Sequence, residues 1–514
     1  MKNFITPINV VRGQEPRCYV DLLGTTIKQI ELTNKYHFKT TYLLQYDAFI
    51  KEEYQNLFLQ ENPLIEVGIW FELCAPLIKE VGLNWRGREG FDWDHYLDVD
   101  NLLGYEKEYR TKIIDAVFDK FKSIFGYYPK VLGTWVIDED SLSYIVNKYH
   151  IVAYYTCREQ LGTDGITLFG GYYNQGYYPS KNNLLCPSDV KNGIPVPTFR
   201  LLGCDPIYQY DFQLFNSNLD VCTLEPVKWP IGDNKYSQIG GHNKNWISWY
   251  FDNLFNLGFG ISFNYAQVGQ ENSFGYETIY EGLIEQYDQI KELLKNKKVT
   301  VVHASELGEW FRNNFDDSPT CSQIALQDYE GKDIKSIWYY NKNYRINLFA
   351  KGKNLRIRDL HIFDENFLSR YKSNMVITEN SINYDNVTIM NGLLWSDKND
   401  IAGIYFCDDK LNKVVIDKLD YKEENKSGII NILTKDNNHI SIQLNQDNVL
   451  IESSKPFALF YSYHQLDDEQ KIQILDEHHV NFYKRDFKYS LNLDRGMIQD
   501  KYILSEDNKI YLKI

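Results

Sequence analysis

The chain predicts a distorted seven- or eight-stranded (β/α) barrel over residues 1–315, followed by an all-β sandwich over residues 322–514. Three observations carry this expectation. Val/Ile/Leu-rich runs alternate with helical patterns through the first 315 residues, as parallel strands joined by crossover helices require. Six of those runs close on an acidic residue. Near 315–322 (FDDSPTCS) the helical patterns stop, and short β-like runs separated by polar turns take over.

The runs near 5–12, 40–46, 64–71, 130–137, 151–157, 196–203, 260–268 and 299–303 read as strands buried on both faces. Between them lie amphipathic helices. The clearest spaces Ile113, Ile114, Val117, Phe118, Phe121, Ile124 and Phe125 at three and four; another runs from Tyr280 through Leu283, Ile284, Tyr287 and Ile290 to Leu293. Two insertions break the alternation. Residues 84–105 carry Gly, Asp and aromatics without a period, and residues 161–195 include GGYYNQGYYPSKNN. Both follow strand ends, so both are expected to wall a cleft. The Gly/Asn/Lys-rich segment 229–245 reads as a lid. In the second half, IWYYN, YRINLFA, GIYFC and HISIQL supply the sandwich strands, and His439–Leu444 alternates as a half-exposed strand should.

Composition narrows the function. A chain of 514 residues needs more than one core. The net charge of −15 argues against nucleic acid or an anionic membrane surface as partner. No run approaches the roughly 20 apolar residues that span a bilayer. The start, MKNFITPINV, lacks a signal-peptide pattern, so a cytoplasmic location is expected. The eight cysteines are scattered with no CxxC pair, which suits reduced thiols better than a disulfide framework or a zinc site.

The six acidic residues at run ends are Glu15, Asp47, Glu72, Asp138, Asp205 and Glu271. In an α/β barrel the active site lies at the carboxyl ends of the strands. At any single position helix capping is the commoner role. Six together point to a cleft that processes sugars or polyols, where paired carboxylates do acid and base work.

Three stretches resemble the glycoside hydrolase/deacetylase barrel superfamily. Residues 65–74, IEVGIWFELC, are similar to its second deacetylase motif. Residues 106–137 resemble its helix, Gly-Tyr-x-Pro turn and following strand, and 138–151 (DEDSLSYIVNKYHI) the next helix. The departures matter as much. The two histidines that hold the metal in deacetylases fall on Trp70 and Cys74, and the paired aspartates after the first strand fall near Gln14 and Glu15. The resemblance therefore implies the fold without the metal chemistry. In the glycosidase branch the nucleophile often follows the fourth strand, which here implies Asp138. The strings VRGQEPR, GGYYNQGYYPSKNN and QVGQENSFG resemble, over nearly the whole chain, a bacterial family of unassigned activity that joins an N-terminal barrel to a C-terminal sandwich.

The sequence thus nominates Asp138 and Glu72 as the first catalytic pair, with Glu271 and Glu15 as further carboxylates. Neighbouring strands lie about 4.8 Å apart, so either glycosidase spacing is reachable. Trp70 shares a strand face with Glu72 and is a candidate sugar platform. Arg12, Arg158, Asn174, Tyr178, Asp205 and Asn272 are candidate substrate contacts. Asp92, Asp94 and His95 make only a weak metal pattern, so neither a metal nor another cofactor is expected. There is no GxGxxG after a strand, no GxxxxGK[ST], no GxSxG and no HExxH. The expected function is metal-independent glycoside hydrolysis through two carboxylates on a carbohydrate substrate. The alternatives are a deacetylase with a rebuilt metal site and a non-catalytic glycan-binding protein.

Overall fold

The computed structural model describes residues 2–157, 169–211, 214, 222–228, 230–232, 235–236, 238–378 and 385–514. Its first half is a nearly closed parallel barrel built from β1 (Lys2–Val11), β2 (Thr40–Leu44), β3 (Ile65–Trp70), β4 (Val131–Gly133), β5 (Ala153–Thr156), β6 (Thr198–Arg200) and β7 (Phe263–Val268). The ladder runs β7-β1-β2-β3-β4-β5-β6, every pair parallel; the short β8 (Thr300–Val301) also pairs β1. All eight expected runs are present. β4 and β6 are shorter than their apolar runs, because the last residues of each run leave the sheet towards the carboxyl end.

Strand alternation sorts the core into two layers. Phe4, Ile8, Val10, Leu43, Trp70, Val131, Tyr155, Phe199, Phe263 and Tyr265 fill the barrel interior. The opposite faces, among them Tyr42, Leu44, Ile69 and Leu132, pack against helices. Of these, α1 spans Leu22–Tyr36, α2 Lys107–Phe125, α3 Glu139–Tyr149, α4 Lys244–Phe251, α5 Tyr276–Lys295 and α6 Ala304–Asn314. The α2 stripe buries Ile113, Ile114, Val117, Phe118 and Phe121, and the helix stops at Gly126, whose φ of 83° satisfies a left-handed cap without a Cβ penalty.

Among the described residues no ladder joins β6 to β7. The tyrosine-rich segment closes that gap. Tyr177 exchanges backbone hydrogen bonds with Thr198. Asn174 Nδ2 donates to the Tyr265 carbonyl at 2.9 Å, and Gln175 Nε2 to the Phe263 carbonyl at 3.0 Å.

The second half forms two antiparallel sheets of nine and eight strands. Their facing sides enclose one aliphatic core that includes Ile346, Leu348, Ile357, Ile404, Ile430, Ile442, Leu444 and Ile451. His439–Leu444 buries alternate residues as expected. The sandwich meets the barrel over the tyrosine segment: Tyr173 stacks on Trp338 with centroids 3.8 Å apart, and Tyr172 packs on Tyr340. Among the described residues the eight cysteines form no disulfide, and only Cys18 is exposed. Among the described residues no helix is long and apolar enough to cross a membrane.

Candidate functional site

The carboxyl ends of β1, β2, β3 and β7 converge on one guanidinium. Arg12 directly follows β1 and is 1% exposed. Its Nη1 pairs with Glu72 Oε2, two residues past β3, and its Nη2 donates to Glu72 Oε1 at 3.2 Å. Its Nε donates to Glu271 Oε2, three residues past β7, at 3.2 Å. Gln45, the residue after β2, offers Oε1 at 3.4 Å. A charged group this deep is tolerated only when paired, so the cluster Glu72–Arg12–Glu271 is one electrostatic unit.

The unit is held from several sides. The Asn272 side chain accepts from Arg12 N at 2.9 Å and donates to Arg12 O at 3.0 Å. The Trp93 ring, from the 84–105 insertion, lies 4.2 Å from the Arg12 guanidinium and 4.9 Å from that of Arg17. Ser273 Oγ donates to Glu271 Oε1. Gln270 bridges Glu271 N, through its Oε1, to Glu225 Oε1, through its Nε2, at 2.8 Å each.

The two carboxylates differ in exposure. The Glu72 side chain is fully buried, whereas that of Glu271 keeps 14% of its surface. Burial pushes the Glu72 carboxyl above the ordinary range; Arg12 opposes that shift and the charge of Glu271 adds to it. Cys157, one residue past β5, lies within electrostatic reach of Glu72, Glu271, Glu225 and Arg200, and burial pushes its thiol up to about 12. Gln45 Nε2 and Trp93 Nε1 are buried donors without a protein acceptor among the described residues. Both residues lie beside Arg12, and unpaired donors of this kind are what a hydroxyl-rich ligand would satisfy.

The other nominated residues go elsewhere. Asp138 caps α3, accepting from Ser141 N at 3.0 Å and Ser141 Oγ at 2.6 Å, and pairs with Arg110 at 2.9 Å. Of the expected first pair, Glu72 is bound to Arg12, whereas Asp138 holds the start of α3 and Arg110. Glu15 closes a local pair with Arg17, Oε2 to Nη2 at 2.6 Å. Asp205 accepts from Ile207 N, Tyr208 N and Trp246 Nε1, ordering its own loop. Asp47 accepts from Gly13 N at 3.0 Å, and burial raises its carboxyl to about 6. Trp70 is 2% exposed and packs edge-on against Trp135 inside the barrel mouth, which leaves no face for a sugar ring.

Asn174 and Tyr178 were expected on a cleft wall. Instead Asn174 spans the β6–β7 gap, and Tyr178 Oη donates to the Phe315 carbonyl at 2.9 Å under α6. Arg158 and residues 229, 233, 234 and 237 of the lid expected at 229–245 lie outside the described residues. Sequence reading missed Gln45, Trp93 and Glu225. Their signals were weak: one amide after a strand, one Trp within an aperiodic loop, and one Glu before a Pro.

The deacetylase metal positions do not fit a divalent ion. Trp70 offers no lone pair, and Cys74 is fully buried in the strand–helix core with its thiol pushed well above the ordinary range. Among the described residues no three His, Cys, Asp or Glu side chains converge as a ligand set.

No family model matches the chain, and no curated protein does. Solved structures do. A candidate glycoside hydrolase/deacetylase from Parabacteroides distasonis is 14% identical over 74% of this chain and 88% of its own, with a TM-score of 0.51. A candidate polysaccharide deacetylase from Mycobacterium smegmatis is 10% identical over 61% of this chain and 91% of its own, with a TM-score of 0.35. A GH57 branching enzyme from Thermococcus kodakaraensis is 10% identical over 60% of this chain and 71% of its own, also at 0.35. The first of these likenesses shows the fold alone: the chain shares the barrel architecture of that structure.

Proposed function

We propose that this protein is a glycoside hydrolase whose reacting carboxylates are Glu271 and Glu72, held together by Arg12. The observation that carries the reading is the single guanidinium that binds both carboxylates at the open end of the barrel. The name of the Parabacteroides neighbour, a candidate glycoside hydrolase/deacetylase, supports a carbohydrate substrate. Glu271 is the half-open member and takes the role of nucleophile or base. Two donors on its oxygens, Arg12 Nε and Ser273 Oγ, fix its orientation. Glu72, whose two oxygens both accept from Arg12, is the second carboxylate of the pair and holds the guanidinium beside Glu271. Asp138, Glu15 and Asp205 have structural roles in this scheme.

The test is turnover on a panel of aryl glycosides and oligosaccharides, before and after exhaustive chelation. The expected result is hydrolysis that survives chelation and is lost in Glu271→Gln. Loss on chelation would replace this reading with a deacetylase-like metal centre. A second reading rests on the complete burial of Glu72 behind Arg12, which also suits a barrel that binds glycans without cleaving them. Saturable glycan binding with no turnover would select it.

A further inference from the structure

A small cavity of about 50 Å³ lies at the seam between the two halves of the chain. Glu139 of the first turn of α3, Thr156 of β5 and Thr198 of β6 line its barrel side. Ser369, Tyr371 and Asp385 line the side that comes from the second half. Glu139 is 3% exposed. Its Oε1 accepts from Leu184 N at 3.2 Å. Its Oε2 has no hydrogen-bond partner among the described residues, and neither has Thr198 Oγ1.

From this cavity the segment Ser369–Val376 runs as a strap over Val136, three residues past β4. Ser369 N donates to Asn182 O at 2.8 Å at one end, and Val376 N to Leu103 O at 2.9 Å at the other. Val376 is buried with Leu97, Leu103 and Val136, and Tyr371 packs on the same cluster. Trp135, which meets Trp70 inside the barrel mouth, packs there too. Leu97 and Leu103 belong to the 84–105 insertion. Its Trp93 lies on Arg12, and its Asp100 carbonyl accepts from Leu73 N at 2.7 Å, one residue past Glu72. The strap therefore holds the insertion, and the insertion holds the Glu72–Arg12 end of the site.

The charges around Glu139 favour its proton. Asp138 precedes it and Asp385 lies across the cavity; Tyr154, Tyr177 and Tyr371 are the other titratable groups on the wall. The surrounding cations are committed elsewhere. Arg110 pairs with Asp138 at 2.9 Å, Arg370 with Asp385 at 2.9 Å, Arg485 with Asp385 at 3.5 Å and Lys372 with Asp140 at 3.7 Å. An ionised Glu139 finds no counter-ion among the described residues and meets like charge, whereas a protonated one can donate through Oε2.

We propose that the strap is a proton-operated latch: protonated Glu139 keeps Ser369–Val376 seated over the barrel mouth, and its ionisation lifts the strap and frees the 84–105 insertion from above Arg12. As a regulator of the site, the latch rests on the function proposed above; as a movement it does not, and its test needs no turnover. In the released strap Glu139 ionises from about pH 4.5 upwards, while in the seated strap burial raises its carboxyl to about 7. The opening equilibrium therefore rises with pH between these values and levels off above about pH 7.

The experiment is hydrogen exchange on the full chain at about pH 5 and about pH 7.5, with rates corrected for the intrinsic pH dependence of exchange. Opening of the peptide that holds Ser369–Val376 should rise at least about tenfold between them, and the peptide that holds Leu73 should open with it. In Glu139→Gln both should keep the same low opening at the two pH values. An equal rise in Glu139→Gln, or none in the wild type, would overturn the proposal. So would strap opening that leaves Leu73 closed. Opening that matches the sandwich strand Tyr344–Lys351 at both pH values would also overturn it, since Glu139 would then act only through global unfolding. Where Glu139→Gln fails to fold, the wild-type profile decides. Opening that levels off above about pH 7 supports the latch, and opening that stays flat or climbs on to about pH 9 overturns it.

Discussion

Two regions of this molecule bury arginine–carboxylate pairs, and they differ in what is left over. At the junction of barrel and sandwich, Arg345 pairs with Asp359 by two hydrogen bonds at 3.0 and 2.9 Å, both side chains fully buried. Arg358 and Arg356 both hold Asp211, and Arg358 also caps the carbonyls of Pro206 and Ile207. Every charge there is closed on protein. At the carboxyl end of the barrel the same chemistry leaves Glu271 partly open and, among the described residues, Gln45 Nε2 without an acceptor. The lesson is that a buried ion pair does not mark a site by itself. What marks one is the capacity left unspent beside it.

Substitutions can break this comparison. The largest expected effect is on Glu271→Gln, with turnover reduced by about 10³-fold or more and the melting temperature nearly unchanged. Equal losses of rate and stability would make Glu271 a junction-like residue. Arg345→Met and Arg12→Met should each cost about 3–5 kcal/mol in denaturant unfolding, because each strands a buried carboxylate. Only Arg12→Met should also remove glycan binding. If Arg345→Met removes it too, the two regions are coupled and the contrast fails.

Glu139 sharpens the comparison through pH. Its carboxyl lies at the first turn of α3 beneath Ser369 and Leu184, and burial raises it to about 7. The unfolded chain ionises this group from about pH 4.5 upwards while the folded chain keeps the proton. The stability it contributes is therefore full below about pH 4.5 and is lost as pH rises to about 7, by up to ~3 kcal/mol. Glu139→Gln should match the wild type at pH 4.5 and exceed it at pH 8. Asp47 and Asp205, each raised to about 6, act in the same direction, so the variant must be compared with wild type at each pH. A constant gap between the two curves would refute the assignment. The smallest effect is expected for Asn174→Ala, about 1 kcal/mol of stability from the lost bond to Tyr265 O with no change in glycan affinity. Weakened affinity at unchanged stability would return the tyrosine segment to the cleft.

Much of the fold was legible because it rests on local pattern. Strands buried on both faces read as continuous apolar runs, and α2 reads from the spacing of Ile113 to Phe125. The site was legible only in part. Each of the six run-end acids sits where the barrel geometry puts functional groups, but the sequence cannot show which are consumed locally. Asp138 turned inward to Ser141 and Arg110, three residues ahead and 28 behind, and Asp205 to its own loop amides. What separates Glu271 from these is a contact with Arg12, 259 positions away. That pairing depends on β7 lying parallel to β1, with Pro7 opposite Val268, and no local pattern encodes it. The tyrosine segment misled for a related reason. A loop rich in Gly, Tyr and Asn suits a cleft wall or a plug equally, and the missing β6–β7 ladder that decides between them is a property of the closed barrel.

The most direct test is a crystal structure of the Glu271→Gln variant with a bound oligosaccharide. The account predicts a sugar ring at the carboxyl end of the barrel, its anomeric carbon about 3–3.5 Å from the side chain at position 271, and a hydroxyl on Gln45 Nε2. A sugar seated elsewhere, with the Glu72–Arg12 pair and position 271 untouched, would contradict it.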